Sequence, residues 1–385
     1  MIKSRRLSNS GEQKRHEPRH FKARLSIDMG SDENFEMTEI QHSDAKAVFT
    51  WDTKLSADSA EWYENVLAIG TYQVDKSDQD KFSDKQRHGS ILLFRALEVE
   101  DDIEKDSFEL IKNIETGAIL DMKWYPLGHP YLATCTSSGD VIIYDFSQEM
   151  KINARARLEN RVILSLDWNC RRSSEDLKES AKKQLVISDN RGYISICDVD
   201  LQSGEIQIQE PLIKHDFEAW ITVFDAWDNN IVFSGGDDMK LYKTDIRTKQ
   251  KIVFGKNEHN AGVTSLYSDI FQEHRLVSGS YDESLRIWDT RNTKFPRLTY
   301  NAGGGIWRIR QPRDPTKKNI LGLACMHNGF QIIEEGSQDC SLITDYKEHE
   351  SLAYGLDFRC KDSSTLQLAS CSFYDHLLKI WNVTY

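Results

Sequence analysis

The sequence predicts an all-β chain closed into a seven-bladed β-propeller, and three observations carry the prediction. Short segments of period-two alternation follow one another over residues 46–385, each broken by Gly, Asn, Asp or Ser. One unit is complete in itself. Ser278-Gly279-Ser280 ends a strand of small residues, Tyr281-Asp282-Glu283 makes a tight acidic turn, and Ser284 to Asp289 alternates and closes on Trp288-Asp289. That unit is half a blade of a WD repeat, and related units recur often enough for seven blades of roughly 40–45 residues each.

The blades follow in order. Blade one takes 56–62, 67–72 and 91–94. Blade two runs from 119–124 to 141–145, and blade three from 163–168 to 193–198. Blade four opens at Trp220, passes Ser234-Gly235-Gly236-Asp237-Asp238 and ends near Asp245. Blade five runs from Gly262 through the complete unit. Blade six opens at Gly303-Gly304-Gly305-Ile306-Trp307 and passes Cys325-Met326-His327-Asn328-Gly329. Blade seven runs from 352–358 to 378–381, which accounts for three strands. The strand-like segment at 46–53 is expected to supply the fourth, closing the ring and covering an open edge. The charged stretches 75–88, 98–107 and 171–183 read as surface insertions, with a short helix as the alternative over 174–182.

Residues 1–45 read differently. A basic start (Lys3, Arg5, Arg6, Lys14, Arg15) passes into an acidic stretch from Asp28 to Glu39, the composition of a disordered segment. Arg5-Arg6-Leu7-Ser8 has the look of a basic-directed kinase site, a pattern that also arises by chance.

Net charge is −12, which argues against a phosphate-binding surface and so against a nucleic-acid partner. The seven cysteines have no CxxC spacing and several fall in strand patterns, as reduced core thiols of a cytoplasmic protein do. No apolar run reaches ~18 residues, so no membrane partner is expected. A closed ring is expected to be a monomer. There is no GxSxG elbow, no P-loop and no GxGxxG after a strand.

The repeat geometry selects a spatial cluster. In a propeller, the start of each innermost strand and the turn between second and third strands share one face and surround the channel mouth. Strand starts place Asp58, Leu120, Leu164, Thr264, Trp307, Arg308 and Tyr354 there. The turns and preceding loops add Glu218, Trp220, Asp237, Tyr281, His327, Tyr374, His376, His349 and Gly303 to Gly305. Asp238, Asp282, His259, Trp288 and Trp381 read instead as turn and blade-packing residues.

Within this cluster His327, His349 and His376 are the candidate general bases, since neutral imidazole suits proton transfer near pH 7. Solvent-exposed histidines without a role are the bland alternative. Their spacing fits no zinc motif, so no metal and no cofactor is expected. Gly304 and Gly305, with Arg308, are candidate oxyanion donors; a tight inter-blade turn is the plainer reading of the glycines. Trp307, Tyr354 and Trp220 beside Glu218 and Asp237 combine aromatic faces with carboxylates, which suits a quaternary ammonium group. Aromatic residues at a propeller mouth equally serve protein contacts.

Several segments are more specific than the repeat. Ser56-Ala57-Asp58-Ser59, Phe217-Glu218-Ala219-Trp220, Gly304-Gly305-Ile306-Trp307-Arg308 and Ser372-Phe373-Tyr374-Asp375-His376 resemble the WD-repeat diphthine methyl ester hydrolases of diphthamide biosynthesis, over roughly residues 50–383. The resemblance implies hydrolysis of a methyl ester from methylated diphthine on elongation factor 2, so that the carboxylate can be amidated to diphthamide. It implies elongation factor 2 as partner, alongside other enzymes of that pathway. The substrate side chain carries a trimethylammonium next to the ester. On that reading His349 or His327 is the base, Asp58 or His376 orients it, Gly304, Gly305 and Arg308 bind the oxyanion, and Trp307 and Tyr354 hold the cation. The competing class is a non-catalytic platform, binding elongation factor 2 or partners in trafficking or ubiquitin-ligase assembly.

Overall fold

The computed structural model describes residues 45–74, 87–97, 106–147, 150–169, 182–360 and 365–384. The expectation for residues 1–44, the insertions at 75–86 and 98–105, and the helix alternative at 174–181 lie outside them. Residues 87, 88, 107 and 183, read above as insertion, belong to strands.

The described residues form seven antiparallel sheets, and the only helical segment among them is one 3-10 turn, Pro315–Lys317. Blade one is built from Ser56–Tyr63, Val66–Val74, Arg87–Leu97 and Ser107–Gly117, paired in chain order. Blades two, four, five and six repeat that four-strand order over 119–157, 221–254, 263–301 and 308–346. Blade three, 163–214, divides its outer strand in two, because Glu205–Ile208 and Ile213–Lys214 both pair with Tyr193–Asp200. Blade seven takes three strands from 353–384, and Lys46–Asp52 pairs with Leu377–Thr384 as its outer strand. The two ends of the described chain thus share one sheet, which leaves no blade without an outer strand.

Seven apolar clusters hold the ring, one between each pair of neighbouring blades. Trp168, Ile187 and Leu166 of blade three meet Ile143, Val141 and Tyr125 of blade two. Across the closing seam Phe94, Ile69 and Trp62 meet Ile380, Leu378 and Cys371. Burying both faces of every sheet is what turns alternating segments into continuous apolar ones in the middle strands, such as Leu366 to Ser372, all buried. Cys135, Cys197, Cys325 and Cys371 are buried in this packing and unpaired.

Polar chains stitch three blades internally. In blade five the Trp288 indole N–H donates to Ser278 Oγ at 2.9 Å, and His259 Nε2 lies 3.1 Å from the same oxygen. Blade four joins Asp238, His215 and Ser234 through contacts of 2.9 Å on each ring nitrogen. Blade seven repeats the device with His349, described below.

A β-bulge at the start of each of five inner strands has the largest consequence for function. Register slips at Asp58, Leu120, Leu164, Thr264 and Tyr354, so each is an extra residue without a partner in the ladder. In blade six the Trp307 amide donates to Ala324, the residue that also faces Arg308, which gives Trp307 the corresponding place. A bulged residue is turned out of the sheet. Repeated around a ring, that device aims Asp58, Trp307 and Tyr354 into the channel mouth.

Candidate active site

The channel beneath the mouth is occupied by charge. Arg308 of blade six donates from Nη1 to Asp121 Oδ1 of blade two at 3.2 Å, spanning the ring at its widest separation. Arg310, two residues on, pairs with Glu61 of blade one and lies 3.6 Å from Asp357 of blade seven. Lys123 reaches Asp121 at 2.7 Å and Glu61 at 3.1 Å. Four carboxyls, with Asp58, face three cations. Arg313 also bears on Asp357, and in so buried a set the carboxyls with the least cationic support are the ones driven toward protonation.

The carboxyls respond unequally. Burial would raise Asp121, but Lys123 and Arg308 outweigh it and hold the acid down at about 2. Asp58 goes the other way and is pushed up to about 7. Burial is the main cause and the negative charge of Asp121 adds to it. Arg308, the Trp307 N–H and Lys123 only partly offset them. Asp357 is raised to about 6, by burial first and then by Glu61. One carboxyl at the mouth therefore changes charge near neutral pH.

Three buried polar atoms there have no hydrogen-bond partner among the described residues: Asp58 Oδ1, Trp307 Nε1 and Arg308 Nε. The Trp307 N–H approaches the Asp58 carboxyl closely enough to act on it without an aligned hydrogen bond. Asp58 is 1% exposed and Arg308 6%. Leaving such groups unpaired costs about 1–3 kcal/mol each, which makes them candidates for bonding to water or to a ligand.

Above them lies a continuous aromatic arc. Trp220 of blade four packs on Tyr281 of blade five and on Trp307, with centroids 6.2 and 5.9 Å apart. Trp307 stacks on Tyr354 at 4.8 Å, Tyr354 meets Phe373 at 5.2 Å, and Phe373 meets Tyr72 of blade one at 4.8 Å. The exposed Asp237 sits at one end, its Oδ1 accepting the Trp220 indole N–H at 3.1 Å. Gly262 permits this approach, since a Cβ there would stand 2.8 Å from Asp237 Oδ1. Burial, then Asp237, raises the Tyr281 hydroxyl to about 12, so these phenols stay neutral at physiological pH. Glu218 is half-exposed beside them and contributes its carbonyl, which accepts the Asp237 amide at 2.8 Å.

The three histidines have different settings. His349 is buried inside blade seven, with Nδ1 2.5 Å from Ser372 Oγ and Nε2 2.8 Å from Ser370 Oγ, which also accepts the Trp381 N–H. Both ring nitrogens are engaged and burial lowers the imidazole to about 4, so its geometry is that of a blade-packing residue rather than a base at the mouth. His376 lies at the closing seam, at φ 58°, where its carbonyl accepts the Thr53 N–H and hydroxyl. His327 is exposed on a turn of blade six, and it is its neighbour Met326 whose sulfur lies nearest the Cβ position of Gly305, at 2.9 Å. A Cβ at Gly304 would fall 2.2 Å from the Cys325 carbonyl, so that residue packs against the blade-six turn. Gly304 therefore serves as a tight joint. Gly305, against Tyr281, borders the arc.

Sequence reasoning missed Tyr72, Phe373 and the whole ionic network of Glu61, Asp121, Lys123, Arg310 and Asp357. The available signal was charge inside otherwise apolar inner strands, at alternate positions in Asp121-Met122-Lys123 and Arg308-Ile309-Arg310.

Comparison with known proteins agrees with this fold. A WD domain, G-beta repeat model matches residues 250–289. A chain of the mitotic checkpoint complex crystal structure superimposes with a TM-score of 0.66 at 17% identity, covering 94% of this chain and 99% of that one, a likeness of fold alone. The chain is 34% identical over 331 residues to mouse diphthine methyltransferase, covering 80% of this chain and 68% of that protein. It is 33% identical over 359 residues to the human protein of that name, covering 86% and 78%. With the Schizosaccharomyces pombe protein it shares 32% over 326 residues, covering 83% and 91%. The chain belongs to the diphthine methyltransferase family, a WD-repeat family of diphthamide biosynthesis.

Proposed function

We propose that this chain hydrolyses the methyl ester of methylated diphthine on elongation factor 2, releasing methanol and leaving the carboxylate for amidation. The observation that carries the reading is the convergence of Asp58 Oδ1, Arg308 Nε and Trp307 Nε1, all unpaired, around a carboxyl that ionises near neutrality. Ionised Asp58 takes a proton from a water molecule as the water oxygen adds to the ester carbonyl. Negative charge moves to the carbonyl oxygen, toward the Arg308 Nε–H and Trp307 Nε1–H, which make no aligned hydrogen bond. On collapse the methoxy group leaves with the proton held by Asp58 as methanol, and the new carboxylic acid gives its own proton to Asp58 or to water, leaving the carboxylate. The trimethylammonium lies against the faces of Trp307 and Tyr354, with Asp237 and Glu218 supplying negative charge nearby.

A second reading is favoured by the names of the relatives, which describe transfer of a methyl group to diphthine. The two differ in the sign of the mass change. Purified chain is mixed with methylated-diphthine elongation factor 2, and methanol and intact mass are followed. Release with loss of one methyl group supports the esterase. Gain of labelled methyl when the chain is mixed instead with unmethylated-diphthine elongation factor 2 and S-adenosylmethionine supports transfer. Binding with neither change moves the platform reading ahead.

A further inference from the structure

Arg308 has two carboxylates to choose between, and the structure shows which one holds it. Its Nη1 donates to Asp121 across the channel, while its Nε and the Asp58 Oδ1 both stay unpaired. Asp121 is itself fixed. It accepts the Met122 amide at 3.0 Å, the Leu166 amide at 3.3 Å and the Lys123 ammonium at 2.7 Å. These bonds tie it to the inner strands of blades two and three. With Nη1 on that anchor, Arg308 makes no ion pair with Asp58 and its Nε stays unbonded.

We infer that Asp121 is a positioning residue for the mouth: by tethering Arg308 from the far side of the channel, it keeps Asp58 free to exchange a proton. The inference rests on the reading of Asp58 as the base. The groups bearing on Asp58 come from several blades: Arg308 and Trp307 from six, Asp121 and Lys123 from two. Tyr72 of one, Tyr281 of five, and Tyr354 and Cys371 of seven also lie within electrostatic reach. The tyrosines and the thiol are all raised by burial and stay neutral through the physiological range. Of the charged partners, Asp121 is the one that repels the ionised form and restrains the guanidinium that would stabilise it.

The test titrates Asp58 in the full chain by carboxyl ¹³C NMR with labelled aspartate, the resonance being identified by its loss in Asp58→Asn. In Asp121→Asn the repelling charge is gone and Arg308 is released toward Asp58, so the midpoint falls by about one to two pH units. The acidic limb of methanol release moves with it. Asp121→Glu, which can still hold Arg308, keeps the midpoint near the parent value. If Asp121→Asn does not fold, Asp121→Ser is read in its place, its hydroxyl able to accept one of the two amides. A midpoint that is unchanged or higher in a folded uncharged variant overturns the inference. Methanol release by the parent chain is scored separately. Its absence, with the midpoint moving as stated, removes the esterase reading and leaves the tether standing.

Discussion

Trp307 and Tyr354 stack across the seam between blades six and seven, with centroids 4.8 Å apart and planes 26° from parallel. Each stands at the start of an inner strand, so two bulge positions meet in one contact. The pair connects the ionic network beneath the mouth to the aromatic arc, because Trp307 also bears on Asp58 through its indole N–H.

The two functions of Trp307 separate by substitution. Trp307→Phe keeps a ring for the cation and removes the N–H. It is expected to lower kcat by about 10–100-fold with KM little changed, if the N–H serves the oxyanion. Tyr354→Ala removes a face and is expected mainly to raise KM, by an amount matching about 1 kcal/mol of cation–π interaction. Steady-state methanol release on methylated-diphthine elongation factor 2 measures both.

Asp58→Asn is expected to lower kcat by about 10²–10⁴-fold, the usual worth of a general base. It also changes stability in a predictable direction. Folded Asp58 keeps its proton to about pH 7, whereas the unfolded chain loses it near the ordinary 3.8. Between those values the folded state binds more protons, so this group's stabilising contribution is complete below 3.8 and is lost as pH rises to about 7. The melting temperature of the parent relative to Asp58→Asn should therefore decline from pH 4 toward 7. A difference that is flat with pH removes the raised carboxyl.

His349→Ala breaks the chain from Trp381 through Ser370 and His349 to Ser372 inside a buried sheet. Two hydroxyls lose a partner, at an expected cost of about 2–4 kcal/mol. Its acidic limb of methanol release should match the parent's at a temperature where the variant is folded. His327→Ala, on an exposed turn, should change melting by no more than about 0.5 kcal/mol equivalent. Thermal denaturation and a pH–rate profile together test this division.

Phe49 of the outer strand of blade seven packs on Phe108 at 5.2 Å and Phe94 at 5.9 Å, both of blade one. Phe49→Ala should destabilise the ring by about 2–3 kcal/mol, less than for a fully buried phenylalanine because this ring is half-buried. Denaturant unfolding with a lower midpoint and an unchanged m-value would show a loss of stability without a change in the surface exposed on unfolding.

Much of the architecture was legible because strand periodicity is local. Alternation, turn chemistry and aspartate endings such as Trp288-Asp289 are written within about 40 residues, and repetition multiplies them. The mouth was partly legible for the same reason: aligning the repeats put Asp58, Trp307 and Tyr354 at equivalent places. His349 was misread because a histidine before an inner strand looks alike whether it faces the channel or turns into its own blade. The serines that capture it, Ser370 and Ser372, lie 21 and 23 residues further on.

The sequence by itself determined the ring, the place where most inner strands begin and the kinds of side chain at the mouth, since each follows from short-range pattern; outer strands such as Ser107–Gly117 were not read from it. Only the tertiary structure decided which of those side chains come together. Arg308 and Asp121 are 187 residues apart in the chain and meet because closure puts blades two and six across one channel. The charge of Asp58 depends on that meeting and on burial by neighbours from several blades. A carboxyl's ionisation is a property of everything around it in space, and no local pattern records it.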